Sequence, residues 1–136
     1  MRALFVSFFL LISTPGFSQN FFDPSGKLLT RFGGDMVFNG SGLQVGRITT
    51  DKIFDGTGHA IGRVNGNMIY DGSDKQVGKA VGNNLFNASG KQIGKIDGDN
   101  LFDGSGTRIG SADKLTRSQV IIFFYYFYYL NPHIPF

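Results

Sequence analysis

An aromatic residue returns every sixteen positions through most of this chain, at Phe22, Phe38, Phe54, Tyr70, Phe86 and Phe102, with no insertion between copies. So short and regular a repeat limits the fold to like units packed on one another, because one unit has too little apolar surface to form a core alone. Asp or Asn follows each aromatic (Asp23, Asn39, Asp55, Asp71, Asn87, Asp103), and two residues later comes a hydroxyl (Ser25, Ser41, Thr57, Ser73, Ser89, Ser105). Further along stands an aliphatic–glycine pair: Val45-Gly46, Ile61-Gly62, Val77-Gly78, Ile93-Gly94 and Ile109-Gly110. A base succeeds it at Arg47, Arg63, Lys79 and Lys95, while the first copy reads Leu29-Thr30-Arg31.

Each unit carries two turn signals and two short apolar runs. Asp-Gly-Ser-Gly supplies glycines for positive φ and an Asx side chain that can bond its own backbone. The second signal is Asn65-Gly66-Asn67, Gly82-Asn83 or Asp97-Gly98-Asp99, with Gly33-Gly34-Asp35 and Thr49-Thr50-Asp51 as variants. Two tight turns in so few residues leave no room for a crossover helix, so the strands must be antiparallel. The composition agrees: 20 Gly and no Glu argue against a helical protein. In the first strand of each unit two neighbours are apolar, as in Ile53-Phe54, which covers both faces. In the second, Val45 and Ile48 or Ile93 and Ile96 lie three apart. The glycine between them signals a β-bulge that returns both to one side, or a close backbone approach.

The Phe-Asp turns enclose turns of the second kind near Gly34, Thr50, Gly66, Gly82 and Gly98, which read as the tips of five hairpins. With Phe54-Asp55-Gly56-Thr57-Gly58, Ile61-Gly62-Arg63-Val64 and their copies through Gly110, the chain resembles the exported bacterial five-fold β-flower proteins. The resemblance implies an all-β domain of five antiparallel hairpins arranged radially, and it implies no activity and no functional residues. A linear β-hairpin solenoid built from the same repeat is the alternative.

The ends differ from the repeats. Met1 and Arg2 precede an apolar run from Ala3 to Ile12, and Gly16 and Ser18 are the small residues of a cleavage site. Residues 1–18 thus read as a signal peptide, which places the protein in the periplasm, at the cell surface or outside. Residues 19–136 form a single domain, with repeats over 20–111. Near the other end, Val120 to Leu130 contains no charge, Gly or Pro and is β-branched or aromatic up to its last residue, which favours a strand. As a helix those eleven residues would rise only ~16 Å, too little for a membrane span. Exposed, the stretch would invite aggregation, so a plug or closing strand over 120–130, packed in or against the repeats, is expected.

The repertoire for chemistry is thin. There is no Cys and no Glu, so thiol nucleophiles, thiolate metal sites and Glu-based acid–base work are excluded. The two histidines, His59 and His133, stand apart, and His59 occupies a variable position of the repeat. Asp97-Gly98-Asp99 with Asp103 lacks the final bidentate acid of an EF-hand loop, and neither phosphate-binding glycine motif occurs. Without the signal, basic and acidic residues nearly balance along the chain, which is no nucleic-acid footprint. No catalytic residue, cofactor or metal site is expected. What remains is the row Arg47, Arg63, Lys79 and Lys95, one base per unit. It serves either as solvated charge that protects strands from pairing or as an anion- or carbohydrate-binding surface. A cell-envelope protein or glycan is the partner such a module would meet.

Overall fold

The computed structural model describes residues 19–131, so the signal segment 1–18 and His133 lie outside the described residues. Twelve strands form one closed antiparallel barrel in which chain neighbours are ring neighbours. They are β1 (Gln19–Phe22), β2 (Leu28–Gly33), β3 (Met36–Asn39), β4 (Gln44–Thr49), β5 (Lys52–Asp55) and β6 (Ala60–Asn65), followed by β7 (Met68–Asp71), β8 (Gln76–Val81), β9 (Asn84–Asn87), β10 (Gln92–Asp97), β11 (Asn100–Asp103) and β12 (Arg108–Asp113). The ring closes where β1 pairs with β12, Phe21 opposite Ala112. An open linear solenoid is therefore not supported, because its terminal strands would be unpaired edges.

Two kinds of turn connect the strands. In the wider one the Asx side chain organises the loop. Asp55 Oδ1 accepts from Thr57 N at 2.9 Å, Thr57 Oγ1 at 2.8 Å and His59 N at 2.9 Å. Asn39 makes the same three bonds to Ser41 and Leu43, and so does Asn87 to Ser89 and Lys91. Asp and Asn interchange here because only an acceptor oxygen is needed. In the tighter turn one residue takes positive φ: Gly34, Gly66, Gly82 and Gly98 at 60–62°, and Thr50 at 44°.

The bulge foreseen in the second strand of each unit is present one residue before the glycine. Pairing of β3 with β4 skips from Gln44 to Gly46, and that of β9 with β10 from Gln92 to Gly94. The skipped Val45 and Ile93 thus turn inward beside the glycine and are buried. From the first strands Val37, Ile53, Ile69, Leu85 and Leu101 point inward and are buried to within 1% of full coverage. The aromatic next to each, Phe38 to Phe102, faces outward and is half-buried.

The C-terminal segment is inside the barrel, but it is not the expected strand. Residues Arg117–Ile122 form an α-helix (α1), and Phe123–Tyr129 continue it as a π-helix (α2). Thr116 caps the start, its hydroxyl accepting from Gln119 N while the Gln119 side chain accepts from Thr116 N. The β-forming composition is overruled by the closed ring. Every strand already has two neighbours, so an extended chain in the lumen would find no edge, whereas a helix satisfies its own backbone. Leu130 N donates to Tyr125 O at 2.9 Å, five residues back, and Asn131 Nδ2 donates to Tyr126 O.

Consecutive residues of α2 serve consecutive units of the barrel. Phe127, Tyr126, Tyr125 and Phe124 meet the bulge glycines Gly46, Gly62, Gly78 and Gly94 in turn. Phe123 packs on Phe21 with centroids 4.5 Å apart, and the Phe21 ring lies against Gly110. An α-helix turns by 100° per residue, too far for neighbouring side chains to reach neighbouring units of a six-repeat ring. The wider π-helix turns less per residue and so comes nearer the interval between units. All five side chains from Phe123 to Phe127 are at most 2% exposed.

A candidate ligand surface on the barrel exterior

Because the lumen is filled by aromatic side chains, the chemistry open to other molecules lies outside. The four bases of the expected row all face outward, and each stands directly across the strand pair from an outward aromatic. The pairs are Arg47 with Phe54, Arg63 with Tyr70, Lys79 with Phe86, and Lys95 with Phe102. Arg31, opposite Phe38, completes the series. Its copy lacks the aliphatic–glycine pair, so the motif passes over it, although it sits in the same column of the repeat. The aromatics are the other half of this surface. In the sequence they look purely structural, because nothing there separates the ring facing out from the aliphatic facing in.

Arginine and lysine units differ. Each guanidinium stacks on its ring, 4.8 Å from the centroid for Arg31 on Phe38, 5.0 Å for Arg47 on Phe54 and 4.3 Å for Arg63 on Tyr70. Such contacts contribute about 0.5–1 kcal/mol at exposed sites. Arg63 also donates through Nε to Asp74 at 3.1 Å. A lysine has no planar group to lay on the ring. Among the described residues neither Lys79 nor Lys95 has an ion-pair partner.

At the lysine units the outer face is grooved. One groove of about 380 Å³ is lined by Gln76, Lys79, Val81, Phe86 and Asn87, with Ala88 and Gly90. A second of about 370 Å³ is lined by Gln92, Lys95, Asp97, Phe102 and Asp103, with Gly104 and Gly106. The linings correspond residue for residue, one repeat apart. Both glutamines are tethered by their amide nitrogen, Gln76 to Gly78 O and Gln92 to Gly94 O, each at 3.3 Å.

Electrostatics at the turns is local. The Ser105 hydroxyl, then the Thr107 amide, hold the Asp103 carboxyl below the usual carboxylate range, and the Ser25 hydroxyl and Lys27 amide do the same for Asp23. At Asp55 partial burial works in the opposite direction but is outweighed by the Thr57 hydroxyl and the His59 and Thr57 amides. His59 is exposed, with Nδ1 2.7 Å from Thr57 Oγ1 and 3.7 Å from Asp55. Inside, burial pushes the Tyr125 phenol up to about 12 and that of Tyr126 higher still.

The family model described as "5-fold beta-flower protein" matches residues 19–128. The chain belongs to that family. No curated protein matches it, and no solved structure does. Membership thus agrees with the closed all-β ring without assigning a role to this β-flower protein. No helix among its described residues is long and apolar enough to cross a membrane.

Proposed function

We propose that this β-flower protein is an exported, non-catalytic structural or interaction module of the cell envelope. Its five hairpins, β2–β3 through β10–β11, act as radial petals, with the β1–β12 pair as the sixth unit of the ring; the C-terminal helix holds them, and the outer face is what a partner meets. The observation that carries this reading is the filled lumen: Phe123 to Phe127 occupy the space in which a barrel would otherwise hold a ligand. A second reading, a carbohydrate- or anion-binding module, is favoured by the outward column of Arg47, Arg63, Lys79 and Lys95, each set beside an aromatic ring. Screening the mature protein against glycans and anionic polymers separates the two. Tight binding that disappears in the Arg63→Ala/Lys79→Ala variant would remove the purely structural reading. Export is tested by sequencing the N-terminus of protein from an exporting host, which should read from Gln19; full-length chain in the cytoplasm would contradict it.

A further inference from the structure

We propose that the paired grooves at Lys79 and Lys95 are tandem subsites for a neutral, β-linked polysaccharide that runs around the barrel across the strands. The inference deepens the carbohydrate-binding reading above and rests on it. Three observations carry it.

First, each groove offers a ring together with both senses of hydrogen bonding. Phe86 and Phe102 are half-buried and border the grooves. The Lys79 and Lys95 ammonium groups donate. Gln76 Nε2 is taken by Gly78 O and Met68 Sδ, and Gln92 Nε2 by Gly94 O and Asn84 Oδ1, so each Oε1 is left as an oriented acceptor. A sugar hydroxyl uses a donor and an acceptor at once, and the apolar face of a pyranose packs on an aromatic ring. An anion uses donors only, and the glutamine oxygen opposes it.

Second, the two grooves do not share a net charge. The first contains Lys79, Val81 and Asn87, whereas the second contains Lys95, Asp97 and Asp103. A polyanion would meet a positive first groove and a second in which carboxylates outnumber the base. A neutral sugar chain meets the same ring, amide and ammonium in both.

Third, the spacing suits a polymer. Equivalent residues lie two strands apart, which is ~10 Å at the usual separation of neighbouring strands and comparable to a disaccharide step of a β-1,4-linked glycan. A chain bound at one groove presents its next disaccharide to the other, so affinity should rise with chain length beyond what one site gives.

The test is calorimetric titration of the mature chain with β-1,4-linked hexasaccharides of glucose and of N-acetylglucosamine, their disaccharides, hyaluronan and polyglutamate. At least one hexasaccharide should bind, at least about tenfold more tightly than its disaccharide, with little dependence on salt. Phe86→Ala with Phe102→Ala should abolish that binding. Should those variants melt early, Lys79→Ala with Lys95→Ala and Gln76→Ala decide, since these residues are exposed; each should weaken the hexasaccharide severalfold while Lys27→Ala, at an exposed turn outside both grooves, leaves it unchanged. Hexasaccharide binding indifferent to all groove variants would overturn the proposal. So would salt-sensitive binding of hyaluronan or polyglutamate alone; if Arg63→Ala/Lys79→Ala abolished it, the anion-binding reading would stand without the sugar grooves. Failure of every glycan and polyanion would remove both.

Discussion

Tyr126 lies against Gly62 so closely that a methyl group on the glycine would overlap the ring. The same ring sends its hydroxyl past the glycine to the Tyr70 carbonyl at 2.6 Å, with the Arg63 carbonyl at 2.9 Å. Gly62 is therefore a seat for an aromatic side chain, and the two hydrogen bonds of the Tyr126 hydroxyl hold the ring against it.

Gly62→Ala should destabilise the protein by about 1–3 kcal/mol or more, the range for overpacking a filled core. Lys91→Ala, at an exposed turn position, should leave the melting temperature nearly unchanged. Thermal unfolding of both variants checks this. Adding Tyr126→Leu to Gly62→Ala should cost less than the two single changes added together, because the two positions are in contact. Equal melting of Gly62→Ala and Lys91→Ala would contradict the seating.

Thr50 is the one β-branched residue among the described positive-φ positions, at 44°, in a turn whose sister copies carry Gly34, Gly66, Gly82 and Gly98. A left-handed conformation costs a non-glycine residue about 1–2 kcal/mol. Thr50→Gly should thus raise the melting temperature, offset in part by the entropy of a freer unfolded chain. Gly66→Thr should lower it, although nothing lies within 4 Å of where its Cβ would stand.

Tyr125 adds an alkaline limit. Its hydroxyl donates to Phe86 O at 2.7 Å, with Lys79 O at 3.2 Å, and burial raises its pKa from 10.0 to about 12. The folded state thus favours the neutral phenol. The resulting stability is complete below about pH 10 and is lost as pH rises through about 12. Tyr125→Phe should lower stability by about 1 kcal/mol near neutrality, through two backbone carbonyls left without that donor. Its stability should then fall less than that of the native protein between pH 10 and 12, so denaturant midpoints measured across this range converge.

The turn carboxylates set the acid limit. Asp23 and Asp103 titrate below the ordinary carboxylate value of 3.8 in the fold. Their contribution is present above that value and disappears as pH falls through the lower folded pKa. Asn39 and Asn87 hold the same loop without titrating, so Asp23→Asn/Asp103→Asn should fold normally. Its unfolding midpoint should depend less on pH below about 4 than that of the native chain.

Much of this architecture can be read from the repeat, and what cannot has a common cause. The period, the antiparallel strands, the Asx-organised turns and the bulge beside Gly46 and Gly94 are local, set by residues within one unit. Ring closure joins Phe21 to Ala112, residues from opposite ends of the repeats that no local pattern links. The helical form of Phe123–Tyr129 follows from that closure, since it depends on the absence of a free edge, while its β-branched and aromatic composition points to a strand. At the outer surface the row Arg47, Arg63, Lys79 and Lys95 is visible as a column. Its pairing with Phe54, Tyr70, Phe86 and Phe102 needs the strand register, and the stacking of Arg47 and Arg63 on their rings needs the side chains in place.

The central claim is that α2 is the core of the barrel and not an appendage, and deletion of residues 120–136 tests it most directly. Five aromatic side chains from Phe123 to Phe127 leave the lumen in that variant. At ~1.5–3 kcal/mol for each large buried side chain, the loss matches or exceeds the ~5–15 kcal/mol by which a domain is usually stable. Circular dichroism and size-exclusion chromatography of the truncated protein should show an unfolded or aggregated product. A soluble monomer with an unchanged melting transition would contradict the account.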